Sequence, residues 1–394
     1  MRVLHTAATY PPFLDGVSEV VRNISERLVK RGHKVHVATS ALPSESSYAE
    51  LCGVHVHRFS ARGNLALGMY GEIEKYRQFV GSRNWEIMVN HGLHVWPTDA
   101  LLHQVGEYRW PSVLVTHGLV DGHPAFREYY SEVPRYVLNY SKWIATSSCS
   151  GEASYCTRFN LPIPPVITNG VDMEEWTRPP LGLRRAWGVG SKLWVINVSN
   201  HSPLKNHVLF FDLAGSLRDL NMCFTLIAGT YPMMRWGLGR FGVSGGCAYQ
   251  CRLRSMVSPG TVDLKMNRPR EEVVSAIREA DLMVSTSGKE ANSLVLLESM
   301  AAGVPWVSFD VGAARINPGG VVVGNLNEMA EIVGELLRDT KRRKTLAEAG
   351  RAQIVGDHDW DKIVDEYERA YERAVDGKCN SAALGTAGPL LVSA

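Results

Sequence analysis

The chain has 394 residues, longer than a single core usually grows, with 45% hydrophobic and 21% charged residues in the balance of an ordinary globular protein. Lys plus Arg number 42 and Asp plus Glu 40, a formal net charge of +2, so the overall charge gives no reason to expect a nucleic-acid partner. The seven cysteines (52, 149, 156, 223, 247, 251 and 379) are an odd set; Cys247 and Cys251 are the closest pair, no second pair stands at zinc-ligand spacing, and all read as free thiols of a reduced compartment.

Short apolar runs alternate with helix-length amphipathic segments along the chain. The first series of strand-like runs is RVLHTA, KVHVATS, VHVHRFS, EIMVNHG, SVLVTHG, KWIATSS and PVITNG, with helices expected over 17–31 and 125–140. A second series opens near Leu193 with LWVINVS, CFTLIAG, TVDLKM, LMVSTS, PWVSFD and GGVVVGN, and helices expected over 206–220, 270–279, 293–303 and 327–337. This alternation predicts an α/β protein of two Rossmann-like, doubly wound domains with parallel sheets covered on both faces. The expected boundaries are 1–168 and 169–358, then a final helix over 359–375 and an aperiodic, disordered tail over 376–394. The N-terminus MRVLHTAATYPP does not match a signal peptide, and no apolar run reaches the roughly 20 residues that cross a bilayer. A cytoplasmic protein is expected, with peripheral contact at the inner membrane surface left open.

Open α/β sheets bind ligands beyond the carboxyl ends of their strands, and with two such domains the cleft between them is the expected site. Polar residues that end strands are therefore the candidates. After the first strand, Asp15, Gly16 and Ser18 lead into a helix; a glycine there lets backbone N–H groups approach a phosphate, while the plainer reading is a tight turn capped by Ser18. His91 and His117 each end a strand and precede a glycine, in NHG and THG, where an imidazole can meet a sugar hydroxyl or phosphate; a lone histidine is more often an ordinary surface residue. Lys205, in SNHSPLKNHVLFF, is expected in the first turn of a helix, where its charge opposes the macrodipole and favours a bound anion.

The stretch KEANSLVLLESMAAGVPWVSFDVG holds Glu290 and, with seven residues between them, Glu298 inside an otherwise apolar helix that Asn292 or Ser293 can cap. A buried carboxylate needs strong hydrogen-bond donors. The two hydroxyls of a ribose would serve; so would the helix N-terminus or a distant arginine.

Glu290-x7-Glu298 followed by SMAAGVP resembles the signature of the family 4 retaining glycosyltransferases, which have the GT-B fold. The resemblance extends over most of the chain and in order: LDGVSEVV is similar to the family's nucleotide-sugar loop, THG to its cleft histidine, NGVD to its linker, LKN to its phosphate lysine and FDVGA to a later loop. It implies a sugar transfer from a nucleotide-diphosphate-sugar co-substrate, UDP or GDP type, to a hydroxyl acceptor, with no cofactor and no metal. Glu298 would hold the ribose, Glu290 would sit near the transferred sugar, and Ala291, Asn292, Ser293 and Leu294 would line the sugar and phosphate pocket. Lys205 and Gly16 would neutralise the diphosphate, His117 would contact the sugar, and the last helix would pack back on the first domain. DWD at 359–361 is superficially similar to the metal motif of another glycosyltransferase fold, but at a helix start Asp359 reads better as a cap.

Three positions depart from the family pattern. Asn200 or His201 stands where the family often has an arginine, Asp15 precedes Gly16 where a second glycine is common, and Ala291-Asn292-Ser293 replaces Gly-Phe-Gly. A basic stretch, 233–262, carries Arg235, Arg240, Arg252 and Arg254 with no acid, and reads as a lid, as a surface for an anionic lipid, lipid-linked acceptor or partner, or as a basic connecting helix and loop. A sugar phosphorylase, a nucleotide-sugar epimerase or a noncatalytic partner protein on the same architecture remain the alternatives.

Overall fold

The computed structural model describes residues 1–13, 15–43, 45–217, 221–230, 243–257 and 261–385, and divides into two compact units. The first joins Met1–Asn169 to Trp360–Ala394; the second is Gly170–Asp359.

In the first unit the strands are β1 (Arg2–Thr6), β2 (Lys34–Ser40), β3 (Tyr48–Leu51), β4 (Val54–Phe59), β5 (Ala61–Asn64), β6 (Gly68–Gly71), β7 (Ile87–His91), β8 (Ser112–Thr116) and β9 (Lys142–Ala145). Seven form one sheet in the order β3-β4-β2-β1-β7-β8-β9, parallel except for the edge strand β3. β5 and β6 form a separate hairpin. The apolar runs are buried on both faces, as parallel strands require.

Helix Trp360–Gly385 packs on helix Gly16–Lys30 in this unit. It buries Ile363, Val364, Tyr367, Ala370, Tyr371 and Ala374, one stripe at helical spacing. Its polar flank is held by Glu368, which accepts from Arg31 at 2.8 Å and lies 2.6 Å from His33.

The second unit holds β10 (Leu193–Asn200), β11 (Met222–Gly229), β12 (Asp263–Met266), β13 (Leu282–Ser285), β14 (Trp306–Phe309) and β15 (Gly320–Val323). All six are parallel, in the order β12-β11-β10-β13-β14-β15. Counted within the unit this is 3-2-1-4-5-6, the Rossmann order. Trp194 and Trp306 are fully buried on it, and so is Trp176 beneath the helices.

Several expectations are corrected. The helix expected over 125–140 is broken into a 3-10 turn, Pro124–Phe126, and two short helices, Arg127–Glu132 and Pro134–Val137. Pro134 cannot donate its backbone nitrogen, which ends one helix and starts the next. PVITNG forms a single bridge, Ala145 with Val166, rather than a strand. The tail expected to be disordered from 376 continues the last helix to Gly385, because nothing from 376 to 385 breaks it; residues 386–394 lie outside the described residues. Helix Thr340–Asp357 escaped sequence reading because it buries only Gly350 and Ile354, leaving no apolar stripe to detect. Among the described residues no helix is long and apolar enough to cross a membrane.

Candidate active site

The strand order of the second unit reverses between β10 and β13, so the crevice beyond their carboxyl ends is the place for a ligand. Two loops meet there. The first follows Asn200 and makes a 3-10 turn, Pro203–Lys205, capped by Ser202, before Asn206 at φ +47° starts helix His207–Ser216. The second follows Ser285 and carries Thr286, Gly288 and Glu290. They are tied together: Gly288 N–H donates to the Leu204 carbonyl at 2.8 Å, and Thr286 Oγ1 donates to the Lys205 carbonyl at 2.9 Å. Asn200 lies along β11, with its Oδ1 2.3 Å from where a Cβ on Gly229 would stand.

Lys205 Nζ donates to Glu290 Oε1 at 2.5 Å, with both side chains partly buried. The sequence expectation for Lys205 is corrected in one respect. It lies in the turn before the helix, not in the first helical turn, and a carboxylate rather than an opposing dipole faces its charge.

Helix Leu294–Ala302 is buried on most sides and ends at Gly303 in the left-handed region. Ser293 occupies the N-cap position but its side chain makes no capping bond, so of the two expected caps Ser293 is not one. The loop before it is gripped from the other side. Ala313 N–H donates to the Ala291 carbonyl at 2.9 Å. Gly312, at φ +52°, lies so close that a Cβ would stand 2.3 Å from the Ala291 oxygen and 2.7 Å from that of Glu290. Only glycine fits there. Asn292 and Ser293 are each 8% exposed.

Glu298, 7% exposed, has an arginine partner: Arg270 Nη2 lies 2.6 Å from its Oε1. Arg270 also holds Glu175 through two bonds, at 3.0 and 2.7 Å, with its guanidinium over the Trp176 ring. Of the partners sequence reading left open for Glu298, the folded chain itself supplies the distant arginine. Nothing in the local sequence marked Arg270, which opens its own helix 28 positions earlier.

In the first unit Gly16 is the first residue of helix Gly16–Lys30. Asp15, not Ser18, is its cap: Asp15 Oδ1 accepts from Ser18 N–H at 2.7 Å, and Ser18 Oγ donates to the Phe13 carbonyl. The negative charge that departs from the family pattern is thus turned to the helix N-terminus. His91 is buried and His117 is partly buried. Their rings stack 5.4 Å apart with Nδ1 of His91 3.2 Å from Nε2 of His117, and His91 also packs edge-on against His5. Burial lowers the His117 pKa to about 4 and that of His91 well below its ordinary value, so both are neutral near pH 7.

Of the basic stretch, 233–242 and 258–260, with Arg235 and Arg240, lie outside the described residues. Arg254, on helix Val243–Val257, pairs with Asp212.

The profile of Glycosyltransferase Family 4 matches residues 14–175, and that of Glycosyl transferases group 1 matches 184–353. The chain is 24% identical to an uncharacterized glycosyltransferase, MJ1607, of Methanocaldococcus jannaschii, covering 95% of this chain and 99% of that one. It is 26% identical to glycogen synthase of Mycobacterium tuberculosis, covering 96% of each. Among solved structures, sucrose-phosphate synthase of Thermosynechococcus elongatus superposes with a TM-score of 0.77 at 16% identity, over 95% of this chain and 99% of that one. Anabaena Alr3699/HepE, solved with UDP and glucose, superposes with a TM-score of 0.74 at 19% identity, over 94% and 99%. The parallel sheets, the loops at the reversal of strand order and these matches together make the chain a group 1 glycosyltransferase of the family 4 type, with the GT-B fold.

Proposed function

We propose that the protein is a retaining glycosyltransferase that moves a sugar from a nucleotide-diphosphate-sugar, UDP or GDP type, to a hydroxyl acceptor. The observation that carries this is the Lys205–Glu290 pair at the reversal of strand order in the second sheet. A diphosphate entering that crevice would compete for the Lys205 ammonium, and Glu290 would be released toward the sugar hydroxyls. The backbone of Ala291–Leu294, fixed by Gly312, would line the sugar and phosphate pocket. Glu298 can serve the ribose while keeping Arg270, since a carboxylate has about four acceptor positions. Gly16 at its helix N-terminus and the neutral His117 are the first unit's proposed contacts to phosphate and sugar.

In the reaction the bond from the sugar's anomeric carbon to the diphosphate breaks, with its electron pair leaving on the diphosphate. The acceptor oxygen forms the new bond on the same face and passes its proton to that diphosphate oxygen. Lys205 and the nearby backbone amides stabilise the departing charge, the role a divalent ion plays in other transferases, so activity is expected without added magnesium. HepE, solved with UDP-glucose, supports UDP-sugars as the first to try.

A thermal-shift screen of UDP-, GDP- and ADP-sugars, followed by NMR of the product's anomeric configuration with an accepted donor, tests the reading. A rise in Tm with one donor class and a product of unchanged configuration are expected. An inverted product would overturn the retaining assignment, and epimerised sugar or phosphate-dependent release would replace transfer.

A further inference from the structure

Lys205 is bracketed by two buried histidines that the transfer reaction does not use. His201 follows β10, and His207 opens helix His207–Ser216. They face Cys247 and Cys251, which lie one turn apart on helix Val243–Val257. One ligand atom from each of the four residues falls within 4.8 Å of the others. His201 and His207 are 0% and 1% exposed, and Cys251 is 1% exposed.

The distances from His207 Nδ1 to the other three ligand atoms are those of a metal shell. His207 Nδ1 lies 3.2 Å from His201 Nδ1, 3.6 Å from Cys247 Sγ and 3.7 Å from Cys251 Sγ. A tetrahedral zinc with bonds of about 2.05 Å to nitrogen and 2.3 Å to sulfur has N···N edges of about 3.3 Å, N···S of about 3.6 Å and S···S of about 3.8 Å. The widest separation in the group closes by no more than about 1 Å round such an ion.

The hydrogen bonds fix which nitrogen of each ring is bare. Thr286 Oγ1 gives its proton to the Lys205 carbonyl, so it accepts from Asn197 Nδ2 at 3.3 Å. That orients the Asn197 amide, and its Oδ1 accepts from Ser199 Oγ at 3.1 Å. Ser199, having spent its proton, accepts from His207 Nε2 at 2.7 Å. The proton of His207 is therefore on Nε2, and Nδ1 carries a lone pair. His201 Nε2 lies 3.2 Å from Met266 Sδ, an acceptor only, so its proton is on Nε2 as well. The two Nδ1 lone pairs then face each other at 3.2 Å in a buried place, with both thiols beside that of His207, and one cation would bind all four atoms once the thiols give up their protons.

We propose that His201 Nδ1, His207 Nδ1, Cys247 Sγ and Cys251 Sγ bind one Zn²⁺ as a structural site. Two thiolates and two imidazoles in a tetrahedron suit zinc, and four protein ligands leave no open position for chemistry. Binding releases the protons of both thiols. The Ser199–Asn197–Thr286 relay is the outer support that orients one ligand. The ion would fasten helix Val243–Val257 to the loop that presents Lys205. The site is independent of the transfer reading, since its test needs no sugar.

The untagged full-length chain, loaded with zinc and dialysed, is expected to retain about one ion per chain by mass spectrometry, and its apo form to bind one equivalent of Co²⁺ with a thiolate-to-cobalt charge-transfer band. Cys247→Ser/Cys251→Ser is expected to keep under about a tenth of that metal and to lose the band, while His201→Asn weakens binding about 10- to 100-fold or more. A chelator should lower the Tm of the wild type and leave that of the double variant unchanged. A wild-type chain that holds no zinc and gives no charge-transfer band overturns the proposal, as does zinc held equally by the double variant or a Cys247–Cys251 disulfide in the chain isolated under reducing conditions. The cobalt spectrum of the wild type decides the matter even if a variant fails to fold.

Discussion

At the scale of single residues, Glu298 and Gly312 carry the sharpest tests. Glu298 has two uses, an ion pair with Arg270 and a proposed hold on the ribose, and they separate by experiment. Glu298→Ala is expected to cost about 1–3 kcal/mol of donor binding, read by calorimetry with an accepted nucleotide-sugar. If Glu298 serves Arg270 alone, the variant will lower the unfolding midpoint and leave donor affinity where it was. Gly312→Ala tests the grip on the Glu290 loop. The added Cβ would fall 2.3 Å from the Ala291 oxygen at a positive φ, so a loss of about 1–3 kcal/mol by urea unfolding is expected, together with weaker donor binding. Neither Arg270 nor the close approach at Gly312 was legible in sequence, because each joins segments that only the sheet order brings together.

Among elements, the C-terminal helix shows which forces hold. Its charged flank reaches Arg31 and His33 through Glu368, partly exposed; its apolar stripe is buried. Burial should dominate, since exposed ion pairs contribute about 0–1 kcal/mol and a large buried aromatic several. Tyr371→Ala is expected to cost about 3–5 kcal/mol of first-unit stability in urea melts, against under about 1 kcal/mol for Glu368→Ala. Equal effects would mean that the ion pairs hold the helix. The existence of this helix was legible from its stripe, but its reach to Gly385 was not, since nothing apolar and periodic marks the final turns. Helix Leu294–Ala302 reads the other way: its apolar run and Gly303 stop signal predicted it to within a residue at each end.

For the whole molecule, buried histidines set the response to acid. Burial lowers His5 and His36 to about 3 and His57 and His117 to about 4, and holds His91 well below its usual value. Their folded pKa values lie below the unfolded value of about 6.5, so the stability they contribute is intact above that pH and is lost as pH falls toward 4 and then 3. His5, 0% exposed, accounts for about 3 kcal/mol of loss by pH 4. Asp99 opposes them. Burial raises its pKa to about 7, so its contribution is full below about pH 4 and fades as pH rises through 7. Urea midpoints are therefore expected to fall between about pH 6.5 and pH 4, and Asp99→Asn should make that fall steeper by removing a contribution that grows on acidification. A midpoint indifferent to pH over that range would show that these histidines stay solvated.

The sequence by itself determined the α/β class, the existence of two doubly wound domains, nearly every central strand, and the order of the motifs that place the chain in its family. Those features rest on local causes: hydrophobic period, proline and glycine punctuation, and capping. The tertiary structure alone decided the partners. Lys205 meets Glu290, Arg270 meets Glu298, Gly312 meets Ala291, and two histidines meet Cys247 and Cys251, across separations of 21 to 85 positions. Such contacts depend on which strands lie side by side, and a sequence period carries no information about the order of strands in a sheet.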